Sequence, residues 1–442
     1  MTVPARAGPV VAIDQWKEEP VEPKETLSVD EMDLSDIEGF WTLPLAEREG
    51  AFATLRRERP VAFFEEPDYG FAPKGPGYWA ITRYADVVAA SRAPERFCSG
   101  RGSTSIPDLP PEFLEYYGGM INADDPRHAR LRRIVSRAFT PKRLHDLEGS
   151  VQRVAAQIVD QVADRGSCDF VAEIAAALPL RIICEMMGVP PSQYGYVLER
   201  TNVILGPGDP EYVAEREDIY GALLTAGVEL GELVTDLGRT REAHPTDDVT
   251  SALVNAEIDG ERLSFDELAS FFILLVVAGN ETTRNAISWG LVLLDEHPDQ
   301  RAAWAADFEG LAPSAVEEIV RVATPVIQMR RTVTADTTLG GQQLSAGDKV
   351  LLFYNSANRD EAVFDEPYRV DLSRAENRHV GFGGYGPHFC LGAHLARREI
   401  TVLFREVLSR LPDIQVTGEP DRLRSNFING IKHLPVSFST PR

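Results

Sequence analysis

The sequence predicts a mainly α-helical protein with a smaller β region. Three observations carry that reading. From Asp125 to about residue 324, apolar residues recur at helical spacing in one stretch after another. Beyond Pro325 the pattern turns to short strand-like runs, 331–334 and 350–353, around a Gly340-Gly341 turn. With 442 residues, 43% of them hydrophobic, the chain can bury a large core as one helical domain or two smaller ones.

Composition removes several functional classes. Asp and Glu outnumber Lys and Arg by 68 to 45, a formal charge of -23, so neither nucleic acid nor an anionic membrane is an expected partner. Cys98, Cys168, Cys184 and Cys390 stand far apart with no C-x-x-C pair. That argues against a disulfide framework or structural zinc and fits a reducing cytoplasm. The N-terminus lacks the apolar run of a signal peptide, and the longest apolar stretch, 271–278, is far short of a bilayer span. A soluble cytoplasmic protein with no membrane anchor is expected.

Residues 1–40 are acidic and proline-bearing and read as a tail, extended or wrapped on the surface. Residues 78–82 read as a strand and 85–92 as a helix. Residues 100–122 hold too many prolines and glycines for regular structure, yet carry Ile106, Leu109, Phe113, Leu114, Tyr117 and Met120. A loop with that much apolar surface must cover something apolar, which makes it a candidate binding loop. The next helix sets His128 and Arg132 one turn apart on a basic face, either solvated or turned toward an anion. Residues 167–245 hold three helical patterns, broken at 206–210 by Gly-Pro-Gly-Asp-Pro, a lid corner or an ordinary turn.

A long helix is expected over 263–294, opened by a capping box of Ser264 and Glu267. In its middle, Ala278-Gly279-Asn280-Glu281-Thr282-Thr283 runs against helix propensity, which marks a functional candidate. Gly279 is expected to leave room beside the helix. Thr282, one turn from Ala278, and Glu281 then offer a hydroxyl and a carboxylate able to pass protons to a bound molecule. The simpler alternative is a Thr282 hydroxyl bonded back to its own helix. A helix over 313–324 carries Glu318 and Arg321, a weak pair on a surface but here set among Ile319, Val320 and Val322. Residues 358–374 read as an irregular meander and 427–431 as a hairpin with an Asn429-Gly430 turn.

The rest of the chain is organised around 381–399, G-F-G-G-Y-G-P-H-F-C-L-G-A-H-L-A-R-R-E. Its opening glycines and proline forbid helix or strand, so the backbone bends sharply into Cys390. A helix follows, with Leu391 and Leu395 on one face. At a helix mouth, the dipole and free N–H groups favour a thiolate, suited to be a nucleophile or a metal ligand; the bland alternative is a small buried hydrophobe. The glycines also spell G-x-G-x-x-G, but polar residues precede them and Pro387–Cys390 intervene before the helix, so a dinucleotide site is rejected.

This string resembles the haem-binding loop of the cytochrome P-450 family, with Gly386, His388, Cys390 and Gly392 in step. One position departs: the family usually places Phe seven residues before the cysteine, where this chain has Gly383, with Phe382 one further back. The 278–283 segment and the Glu318-x-x-Arg321 pair, with Arg374 as a candidate third member, extend the resemblance over nearly all the chain beyond the tail. It implies a single domain over 41–442 with the cytochrome P-450 fold. The implied cofactor is haem b with Cys390 as axial thiolate. His128, Arg132, Arg331 and His388 would face its propionates, Ala278 and Gly392 would border it, and Glu281 and Thr282 would deliver protons to O2.

The implied reaction is hydroxylation of an unactivated C–H on a bulky lipophilic substrate by a monomeric enzyme. A ferredoxin-type partner would dock on Arg374, Arg378, Arg397 and Arg398. The motif wording is most similar to actinobacterial steroid side-chain hydroxylases. Tailoring of a secondary metabolite such as a macrolide is the alternative. A thiolate-haem sensor or electron carrier is a third, against which Glu281 and Thr282 speak.

Overall fold

Helices dominate the computed structural model, which describes residues 22–440 except 68–73, 109, 111–112, 114–116, 118, 139–140, 214–218 and 258–259. Residues 1–21 of the expected tail, and Leu109 and Leu114 of the expected loop, lie outside the described residues. The long helix runs Phe265–Glu296, and the Ser264–Glu267 capping box closes its first turn. It spans two apolar clusters. Its first half packs Phe272 and Val276 with Met187 and Leu230; its second half packs Ile287 and Leu291 with Leu403 and Phe404. Both ends of the molecule are therefore keyed to one rod.

A five-stranded sheet lies to one side, in the order Val61–Phe64, Tyr78–Ile81, Lys349–Phe353, Gln328–Val333, Phe97–Cys98. Neighbours are antiparallel except Tyr78–Ile81 with Lys349–Phe353. The described part of the tail wraps onto this region. Leu34 is fully buried, Trp41 donates its indole N–H to the Leu34 carbonyl at 2.8 Å, and Phe40 packs edge-on against Phe52.

Two local expectations need correction. The helix expected from Pro313 begins at Phe308, where Asp307 accepts from the Gly310 N–H at 3.1 Å; Pro313 sits inside it. Burial of Ala312, Ala315 and Val316 outweighs the hydrogen bond the proline removes. The two strand-like runs form as Gln328–Val333 and Lys349–Phe353, and the Gly340-Gly341 turn between them closes a further ribbon, Thr337–Leu339 with Gln342–Leu344. Asn429-Gly430 is not a hairpin turn. Neither residue takes the positive φ such a turn needs, and the Asn429 side chain donates to the Ala323 carbonyl at 2.6 Å. The tip is instead 424–427, where the Ser425 hydroxyl accepts from the Phe427 and Ile428 N–H groups.

Glu318 and Arg321 are both fully buried and joined by two 2.8 Å bonds. Arg321 also donates to the carbonyls of Asn358, Pro367 and Arg369. Glu318 accepts from Arg374, from Asn377 at 2.9 Å and from the Asp371 N–H at 3.0 Å. The meander is thus wound around one ion pair, and the cysteine loop follows directly from it. Truncating Arg321 to Met leaves a buried carboxylate short of its main counter-charge, and an unfolding midpoint series should show a loss of about 3–5 kcal/mol. A loss under about 1 kcal/mol, the range of a surface pair, would show that the pair does not brace the meander.

Candidate functional site

The cysteine loop owes its shape to two glycines. Gly383 has φ +100°, where side chains are strained, so the ring expected at this position cannot sit here on this backbone. A Cβ on Gly386 would lie 1.9 Å from the Ser91 carbonyl, at the end of the helix Tyr84–Ser91. With the loop seated there, the Cys390 N–H donates to the Phe382 carbonyl at 2.9 Å. The helix Ala393–Arg410 begins three residues later. Burial pushes the Cys390 thiol up, while the Gly392 and Ala393 N–H groups and the charges of Arg132 and Arg397 pull the other way.

Phe382 is fixed from behind. Arg397 lies 4.4 Å over its ring and donates to Glu317, which also bonds His379 at 3.0 Å. Arg397 is therefore an internal strut more than a free surface charge, and Arg374 is committed to Glu318. Of the four arginines expected to form a docking patch, Arg378 is exposed beside Glu376, and Arg398 is half-buried.

Four basic side chains converge from three elements. His128 and Arg132 come from the helix Arg127–Ala138, Arg331 from the strand Gln328–Val333, and His388 from the loop. The His128 and His388 rings are 4.2 Å apart, and Arg132 donates to the Phe389 carbonyl at 2.7 Å. Burial, then the charges of Arg331, His128 and Arg132, hold His388 down at about 3. Among the described residues, His128 Nε2 is buried without a hydrogen-bond partner. Such crowding of like charge favours an anion placed among these groups.

A cavity of about 700 Å³ is lined in part by Ala278, Glu281 and Thr282 of the long helix. Phe113, Tyr117 and Ile121 of the expected binding loop line it, as do the Gly206-Pro207-Gly208 turn and the tip residues Phe427 and Ile428. Thr282 Oγ1 donates to the Ala278 carbonyl at 2.5 Å, the bond-back arrangement. Gly279 does not open onto free space; a Cβ there would lie 2.7 Å from Ile183, so its smallness serves helix packing.

Glu281 is buried, ion-paired with Arg284 and bonded by Asn285 at 2.9 Å. Arg284 donates on to Asn202 at 3.1 Å, and Asn285 accepts from the Ile431 N–H at 3.1 Å. These partners escaped the sequence reading, although Arg284 and Asn285 stand at the i+3 and i+4 positions from Glu281 where such pairs form.

A profile of the family described as Cytochrome P450 matches residues 231–307 and 311–431. The methyl-branched lipid omega-hydroxylase of Mycobacterium tuberculosis (strain ATCC 25618 / H37Rv) is 51% identical over 417 residues, 92% of this chain and 96% of that one. The chain belongs to the cytochrome P450 family. The steroid C26-monooxygenase of Rhodococcus jostii (strain RHA1) is 39% identical to this P450, covering 88% of it and 81% of the relative. A Mycobacterium marinum cytochrome P450 in complex with pseudoionone superposes with a TM-score of 0.87 at 43% identity, covering 95% and 100% of the two chains. The P450 is accordingly an oxygen-incorporating oxidoreductase whose cofactor is a cysteine-thiolate haem. Among the described residues, no helix is long and apolar enough to cross a membrane.

The Glu317 cluster generates a pH prediction. Arg397 and His379 hold Glu317 down to about 2 against the opposing effect of burial. A depressed carboxylate stabilises the fold above its ordinary value and loses that contribution as pH falls through its folded value. The stability gap between wild type and Glu317→Gln, at most on the order of 3 kcal/mol, should therefore shrink between about pH 4.5 and pH 2. Denaturant melts across that range measure it; a constant gap would refute the assignment.

Proposed function

We propose that this P450 hydroxylates the terminal carbon of a methyl-branched alkyl chain carried by a bulky lipid, and that the Cys390 thiolate would hold the haem iron. The residues fit the cofactor: a thiol at a helix mouth, and beside it four basic side chains with one imidazole nitrogen unpartnered. His128, Arg132, Arg331 and His388 would hold the propionates, and Ala278 and Gly392 would border the ring. When bound, the haem supplies oxygen activation and C–H oxidation.

The chain contributes the remainder. The Gly392 and Ala393 N–H groups and Arg132 favour the thiolate over the thiol. Phe113, Tyr117 and Ile121 give the cavity an apolar face on which an alkyl chain would lie, with Ala278 and Thr282 in the same lining. The Thr282 hydroxyl turns from the Ala278 carbonyl to present a proton to the cavity, and Glu281, positioned by Arg284 and Asn285, replaces it.

The observation that carries the substrate reading is the roughly 700 Å³ cavity, large and mainly apolar, lined in part by that proton-bearing turn. The names of two relatives support it. One is named for ω-hydroxylation of a methyl-branched lipid; the other is named for oxidation of a steroid at C26. The relative named for the branched lipid is more similar to this chain than those named for the steroid, so the steroid side chain is the second reading. Electrons come from a ferredoxin-type partner that meets Arg378 and Arg398, the two arginines not committed to Glu317 or Glu318.

Titrating a methyl-branched fatty alcohol, its straight-chain isomer, a sterol and a macrolide, with product analysis, tests the substrate. Terminal oxidation of the branched lipid ahead of the others is expected; turnover of the macrolide alone would overturn the reading. Cys390→Ser should abolish the thiolate signature of the reduced carbon monoxide complex. Thr282→Ala should keep substrate affinity while cutting product per electron by about 10-fold or more, the balance appearing as peroxide. Arg378→Glu with Arg398→Glu should slow reduction most at low salt; unchanged stopped-flow rates would remove the docking assignment.

A further inference from the structure

The turn at 206–213 forms part of the cavity wall, and it is fastened by charge to the C-terminal strand Ile431–His433. Asp209 is fully buried; its Oδ1 accepts from the Glu211 N–H at 3.0 Å and from Lys432 Nζ at 3.2 Å. Lys432 is only 11% exposed and also meets Glu211 Oε2 at 3.0 Å and Asp421 Oδ2 at 3.4 Å. The next residue, His433, bonds the other Glu211 oxygen at 3.1 Å through Nε2, and Asp169 at 2.5 Å through Nδ1. The same strand begins at Ile431, whose N–H is held by Asn285 of the long helix. Cavity wall, strand and Glu281 are thereby connected through consecutive residues.

From this geometry we infer that Lys432 and His433 form a latch that closes the 206–213 turn over the cavity and sets the rate at which lipid substrates enter and leave. An exposed ion pair would have little effect on closure. Asp209 differs because it is buried: among the described residues Lys432 is the cation paired with its carboxylate, and without that ammonium the closed turn loses stability relative to one lifted into water. Glu211 is the shared element, each oxygen taken by a different cation, so turn and strand separate together or not at all.

The latch also responds to protons. Facing His433 are Asp169 from the strand Ser167–Asp169 and Glu211 from the turn; Asp421 and Asp209 reach Lys432 beside it. The hydrogen bonds to Asp169 and Glu211 raise His433 above its ordinary value. Opening removes Glu211, so the protonated imidazole favours the closed turn, and the latch weakens as pH rises through the His433 titration.

The test uses the full-length holoprotein. Hydrogen exchange of peptides covering 200–213 is measured without ligand, so this arm is independent of the proposed substrate. Pseudoionone association and dissociation are then followed by the haem absorption shift. Lys432→Met should speed exchange in those peptides and raise the dissociation rate about 10-fold, with an unchanged reduced carbon monoxide spectrum, and Lys432→Arg should restore both. Should Lys432→Met fail to fold, Asp209→Asn makes the same test from the other side of the pair. In wild type the dissociation rate should rise with pH, and His433→Gln should flatten that profile. Wild-type exchange and dissociation rates in the charge-removing variant would overturn the latch, as would a pH profile that survives His433→Gln.

Discussion

The ion pair between Glu318 and Arg321 is the constraint on which the rest of the site depends. Neither side chain reaches solvent, so each must find its partners inside, and what they find is backbone from 358 to 371. Segments without helix or strand leave many N–H and C=O groups unpaired, and such groups cannot be buried without partners. One guanidinium with several donors and one carboxylate with several acceptor sites take the place of a sheet. The cysteine loop begins where that irregular stretch ends and inherits its position.

Charge is distributed unevenly in a way the net figure conceals. A chain with formal charge -23 keeps a knot of two histidines and two arginines in its interior, close enough for the rings to touch. Like charges are costly there unless something negative is shared among them. An anionic group placed among them would relieve that cost.

Features set by neighbours in sequence were legible from local pattern; distant partnerships were legible only where a family resemblance supplied them, as for Arg374 with Glu318. The Ser264–Glu267 box, the bend before Cys390 and the i, i+3 spacing of Glu318 and Arg321 follow from local geometry, and each stands where the pattern placed it. Arg397 read as surface charge because its carboxylate lies 80 residues earlier in the chain. Gly279 read as open space because nothing local announces Ile183. Asn429-Gly430 carries the right letters for a turn, but carbonyls at 323 and 325 claim its hydrogen bonds first. The recurrent error is one of partnership across the fold, and it falls most often where a short motif invites a self-contained explanation.

Asp33, Ser35 and Ile37 of the wrapped leader contribute to the cavity wall, although they lie far in sequence from the chemistry. The leader is anchored by Leu34 and Trp41 yet belongs to neither the sheet nor the bundle. Its cavity-facing residues Asp33, Ser35 and Ile37 alternate with anchoring positions and lie far in sequence from Cys390. Divergence among relatives in what they accept can therefore arise by editing this outer strap, leaving the inherited oxidation machinery untouched.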